Sequence, residues 1–183
     1  MLEERIVRFC APTLAGIKTG GLFNACGIDN TTLRHEAESI RKEISSRGLD
    51  LRLFPKKGRH TLVYVYRESA LAHDLNQADC ARFLANYRYD VSSNECALRR
   101  LGERIIECEH FPHEVGVFLS YPLSDVISFI ENGSKTCKAC GHWCVYSDEE
   151  KAHWCFNRFD RCTTCYKNLY NRGHRIGDLA VAR

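Results

Sequence analysis

Apolar residues recur at three- and four-residue intervals over most of this chain, and at alternate positions over one short stretch. Leu2, Ile6 and Phe9 share one face of a short helix over residues 2–9. Pro12 suits the first turn of a second helix, where a missing N–H goes unneeded; Cys10 would then sit just ahead of a helix N-terminus. Residues 20–27, with Gly20, Gly21 and Gly27, read as a loop or short extended piece. Leu33, Ala37, Ile40 and Ile44 mark a helix that Asn30, Thr31 or Thr32 can cap and Gly48 ends.

The alternating stretch is a hairpin. Leu49, Leu51 and Leu53 alternate with polar residues, the turn carries Gly58, and Leu62 to Tyr66 is β-branched and aromatic. Helices follow over 68–75, 77–88 and from Ser93 to Cys108, the last with Leu98, Leu101, Ile105 and Cys108 inward. Cys80, Cys96 and Cys108 read as packing residues. Val115 to Leu119 is too short and too apolar to assign by period. A helix from Pro122, capped near Ser124, ends at Gly133; Trp143 to Tyr146 forms a third strand. Over 148–171, Ala152, Cys155, Phe156, Phe159, Cys162, Tyr166, Leu169 and Tyr170 make the longest helical stripe, ended by Gly173. The expected fold is α+β: a small antiparallel sheet of residues 49–54, 61–66 and 143–146, covered by helices in a single domain over 1–183, with 134–183 a cysteine-rich strand–helix segment.

Composition narrows the classes. The chain has 183 residues, 44% hydrophobic and 27% charged, with four prolines, an ordinary globular balance. It opens Met1-Leu2-Glu3-Glu4-Arg5, acidic where an export signal is basic. No run nears the roughly eighteen apolar residues of a membrane helix. The expected address is cytoplasmic, with no membrane partner. There thiols stay reduced, so the eleven cysteines are core residues, metal ligands or reactive groups. Net charge is +3, and the segment from residue 134 carries nine Lys and Arg against five Asp and Glu. That excess is too small to argue for nucleic acid by charge.

Three chemistries fit the motifs. Cys137-x2-Cys140 and Cys162-x2-Cys165, separated by 21 residues with His142, Cys144 and His153 nearby, could supply four tetrahedral ligands to zinc. Against this, Cys155 and Cys162 fall on the apolar stripe. A thiol/imidazole site could join Cys10 as nucleophile, His113 as base and Glu114 as orienting group, with Lys18 and Tyr121 binding the ligand. On a strand, however, adjacent His113 and Glu114 would point differently. His110 reads as an ordinary loop residue. Finally, Trp143, Tyr146, Trp154, Tyr166 and Tyr170 interleave with Arg158, Arg161, Lys167, Arg172 and Arg175, a stacking-and-charge pattern for single-stranded nucleic acid. The thiol/imidazole site is the leading expectation, for thiol chemistry or small-ligand binding.

Four segments occur in order over nearly the whole chain: Cys10 to Lys18, His113 to Pro122, Gly141 to Tyr146, and Arg161-Cys162-Thr163 with Tyr166. Together they resemble the uncharacterised bacterial domain-of-unknown-function family 3793. The resemblance implies a compact bacterial domain and no established activity. This chain has Ser120 where the family's pattern has glycine, and Cys144 where it has lysine.

Overall fold

A computed structural model describes residues 1–56, 60–108 and 111–182; the hairpin turn at Gly58 and His110 lie outside them. The fold is α+β, as the periodicities imply. The chain forms two compact units, Met1–Leu71 with Arg161–Arg183, and Ala72–Asp160.

In the first unit, α1 (Leu2–Leu14) runs unbroken through Pro12. The second helix expected to begin there does not form, because the apolar face is continuous: Leu2, Ile6, Val7, Cys10, Ala11 and Leu14 are all buried. Cys10 therefore lies within a helix, and Phe9 turns outward, 49% exposed, onto Phe23. The third strand is also not the one expected. It is β1 (Gly20–Asn24), which precedes α2 (Asn30–Ser45), β2 (Leu49–Lys56) and β3 (His60–Arg67). The sheet has the order β1-β3-β2 and is antiparallel, with Gly21 opposite Val65 and Leu51 opposite Val65 from the other side. Gly21 permits this. A Cβ there would stand 2.7 Å from Cys10 Sγ, so only glycine lets the strand lie this close to α1.

Asp29 caps α2, accepting from the N–H groups of Thr31 and Thr32 at 3.1 and 2.9 Å. That satisfies two of the N–H donors a helix start leaves orphaned. Buried Arg67 donates to the carbonyls of Thr13, Leu14 and Val181, tying the end of α1 to the chain's last segment. The core joins α1, α2 and the sheet's inner face. α3 (Glu68–Leu75) follows.

The second unit holds α4 (Ala78–Ala85), α5 (Asn94–Glu107), α6 (Val115–Phe118) and α7 (Leu123–Asn132). Ser93 caps α5 through Oγ, and Val115 to Phe118, ambiguous by period, is one turn of helix. Ser120 follows at φ +54°, a left-handed conformation natural to glycine. A 3₁₀ turn over Gly133–Thr136 leads into a minimal hairpin, β4 (Ala139–Cys140) and β5 (Cys144–Val145). The segment expected to complete the main sheet is thus half of a separate two-stranded sheet. α8 (Glu149–Asn171) has residues to Asp160 in the second unit and from Arg161 in the first. Its later residues Tyr166, Leu169 and Tyr170 join the first core with α9 (Ile176–Leu179). Among the described residues, no helix is long and apolar enough to cross a membrane.

Candidate metal centre

The small hairpin gathers three thiols. Its register sets Ala139 against Val145 and Cys140 against Cys144, closed by Lys138 N–H on Val145 O at 2.8 Å and Gly141 N–H on Trp143 O at 3.1 Å. Cys137, just after the 3₁₀ turn, completes the group. Its Sγ lies 3.5 Å from that of Cys140, and Cys140 Sγ lies 3.4 Å from that of Cys144. All three sulfurs fall within 4.8 Å of one another.

Three devices hold the hairpin in place. Buried Asp125 of α7 accepts from the indole N–H of Trp143 at 2.8 Å and from the backbone N–H groups of Tyr146 and Ser147 at 3.0 and 2.8 Å. The Tyr146 hydroxyl donates to Gly133 O. On the other side Gly141 meets the Phe156 ring of α8, where a Cβ would approach to 2.3 Å. Val145, Ala152 and Phe156 form the small core beneath, with Ala139 and Trp143 against it.

Tetrahedral zinc, with Zn–S bonds of about 2.3 Å, separates its sulfurs by roughly 3.8 Å. The Cys137–Cys140 and Cys140–Cys144 separations of 3.5 and 3.4 Å fall a few tenths of an ångström short of that, and the third pair lies within 4.8 Å. Without a cation the packing opposes ionisation. Burial, then the hydrogen bond with Cys140, pushes the Cys144 thiol up to about 12. The hydrogen bond with Cys140, then burial, raises that of Cys137. A bound divalent ion inverts this balance, because thiolates then face positive charge.

The other expected ligands have different surroundings. Cys162 and Cys165 lie on the part of α8 that belongs to the first unit; Cys165 is exposed and Cys162 half-buried. His142 places Nε2 3.0 Å from Asp160 Oδ1 and its ring against Phe156 and Phe159. His153 stands edge-on to Phe156.

The residues of the expected thiol/imidazole site divide between the units. Cys10 and Lys18 are in the first. Cys10 sits over Gly21, fully buried, and burial, partly countered by the Lys18 charge, pushes its thiol up to about 12. Burial likewise lowers Lys18 to about 8, against the opposing pull of Cys10. The activation expected of a helix N-terminus is absent, since Cys10 lies toward the C-terminal end of α1. His113, Glu114 and Tyr121 are in the second unit. Glu114, 1% exposed, accepts from Arg104 Nε at 2.7 Å and Tyr89 Oη at 3.2 Å; these bonds are structural. His113 is exposed, edge-to-face with Phe129 at 4.8 Å. Tyr121 stands 5.1 Å from Trp143, its phenol pushed up to about 12 by burial. His113, Tyr121, Trp143 and Cys144 line one apolar cavity of about 260 Å³.

Two site residues were less legible in the sequence. Cys144 is four residues beyond Cys140, a spacing that a tight hairpin converts into cross-strand neighbours. Asp125, which organises the hairpin, resembles any acidic residue in the first turn of a helix. Comparison with known proteins adds the family alone. No curated protein and no solved structure matches the chain. A family model described as "Protein of unknown function (DUF3793)" matches residues 6–180, so the chain belongs to that family.

Proposed function

We propose that Cys137, Cys140 and Cys144 bind one zinc ion, and that the second unit works as a zinc module with an exchangeable fourth ligand. The observation that carries this is the convergence of three Sγ atoms within 4.8 Å, on a hairpin whose position Asp125 and Phe156 define. Thiolates are soft donors that select zinc over magnesium or calcium. Among the described residues no fourth His, Cys, Asp or Glu donor joins the trio within that distance. Three protein ligands and an outside molecule are the arrangement of zinc sites that act on what they bind, whereas four protein ligands mark a purely structural site. The ion would polarise the molecule in the fourth position or lower the pKa of a water there.

Protein purified without chelators and analysed for metals is expected to carry one zinc per chain. Cobalt exchanged for it should give thiolate-to-cobalt charge-transfer absorption in the near ultraviolet. Cys140→Ser and Cys144→Ser should abolish stoichiometric binding, while Cys162→Ser and Cys165→Ser should retain it. Metal content that is substoichiometric and unchanged by Cys140→Ser would overturn the reading.

A further inference from the structure

We infer that the cavity beside the thiol trio is a receptor for a trimethylammonium headgroup carried by a free small molecule. The inference does not require the metal. The cavity, of about 260 Å³, is walled by Phe111, Phe129, Tyr121 and Trp143, with His113 at one side and Asp125 among its lining. The volume lies below the roughly 300 Å³ at which drug-sized pockets begin, so it suits a headgroup. Gly116 lets the backbone lie close against Val126 and Tyr121, two of the lining residues, since a Cβ there would stand 2.6 Å from Val126 Cγ2.

The charge pattern selects the headgroup. Among the described residues no Lys or Arg lines the cavity, and Asp125 contributes a buried carboxylate. Aromatic faces carry negative potential and attract cations, quaternary ammonium above all. An anion would meet no ammonium or guanidinium group among these described residues. A primary ammonium has three N–H groups to satisfy, and three protein N–H donors already take three of the roughly four acceptor sites on Asp125, so its oxygens cannot serve all three. A trimethylammonium group presents only methyls. It needs apolar contact and negative potential but no acceptor, and this cavity offers that combination.

Calorimetric titration of the intact protein tests this with four probes: choline, its neutral isostere 3,3-dimethylbutanol, ethanolamine, and a peptide bearing trimethyllysine. Choline is expected to bind at least about tenfold more tightly than the isostere, with ethanolamine weaker than both. Phe129→Leu, which leaves the Asp125 bonds untouched, should weaken choline several-fold and leave the isostere unchanged. Equal binding of choline and isostere would overturn the proposal, reducing the site to a plain apolar cavity, and so would no binding at all. A peptide that binds tenfold better than choline would overturn its assignment to a free small molecule. Repeating the choline titration after metal removal keeps the result separate from the zinc reading, which metal analysis decides.

Discussion

At the scale of single residues, burial separates chemistry from packing. Glu114 stood in the sequence as a partner for His113, but its carboxylate is spent on Arg104 and Tyr89. Removing one member of a buried pair leaves the other uncompensated. Glu114→Ala is therefore expected to destabilise the protein by about 3 kcal/mol, measured as a shift in denaturant midpoint. A near-neutral result would contradict a structural role. Cys10 makes a pH-dependent prediction. Its folded-state thiol sits near 12 against an ordinary 9.0, so the folded form keeps a proton that the unfolded chain releases above pH 9. The stability this contributes is complete below pH 9 and is lost as pH rises from 9 toward 12. Compared with Cys10→Ala, the wild type should hold a constant margin from pH 7 to 9 and a shrinking one at pH 10 and 11. A margin that stays constant to pH 11 would place the thiol in contact with water. Lys18 has the opposite sign: its pKa of about 8 against 10.5 costs stability at neutral pH, and the cost lifts as pH rises from 8 to 10.5.

At the scale of elements, the two hairpins differ in what makes them. β2 and β3 are strands by local pattern, with alternating leucines facing a β-branched and aromatic run. β4 and β5 have two residues each, too few to hold by ladder bonds alone. They stand because Asp125 accepts three donors from Trp143, Tyr146 and Ser147 and because Phe156 presses on Gly141. Asp125→Ala should cost about 3 kcal/mol and speed hydrogen exchange at the amides of Lys138 and Gly141, which close the hairpin. If those amides keep their protection in the variant, the ladder holds itself and Asp125 is incidental. β1 teaches the converse lesson. Its two leading glycines leave a loop and a short extended piece both open in the sequence, and the segment is a strand whose Gly21 gives α1 a surface without a side chain.

At the scale of the whole molecule, membership of the DUF3793 family sets the frame, and the proposed zinc site makes a prediction about stability. A ligand that binds only the native state stabilises it by mass action, about 2.7 kcal/mol at a hundredfold excess over its dissociation constant. Zinc should therefore raise the unfolding midpoint of the second unit, followed at Trp143 after Trp154→Phe, and the rise should vanish in Cys144→Ser. An equal rise in both proteins would assign the effect to nonspecific metal. The sequence by itself determined the α+β class, most helices to within a few residues, the β2–β3 pairing, and the Cys137–Cys140 half of the thiol cluster. Those features are encoded between residues close along the chain, where periodicity, caps and turn residues act. Only the tertiary structure decided that Gly20–Asn24 is a strand, that Cys144 completes the trio, that Glu114 belongs to Arg104, and that α1 carries Cys10 as a buried thiol. Each depends on distances through space and on competition for burial, which spacing along the chain does not specify.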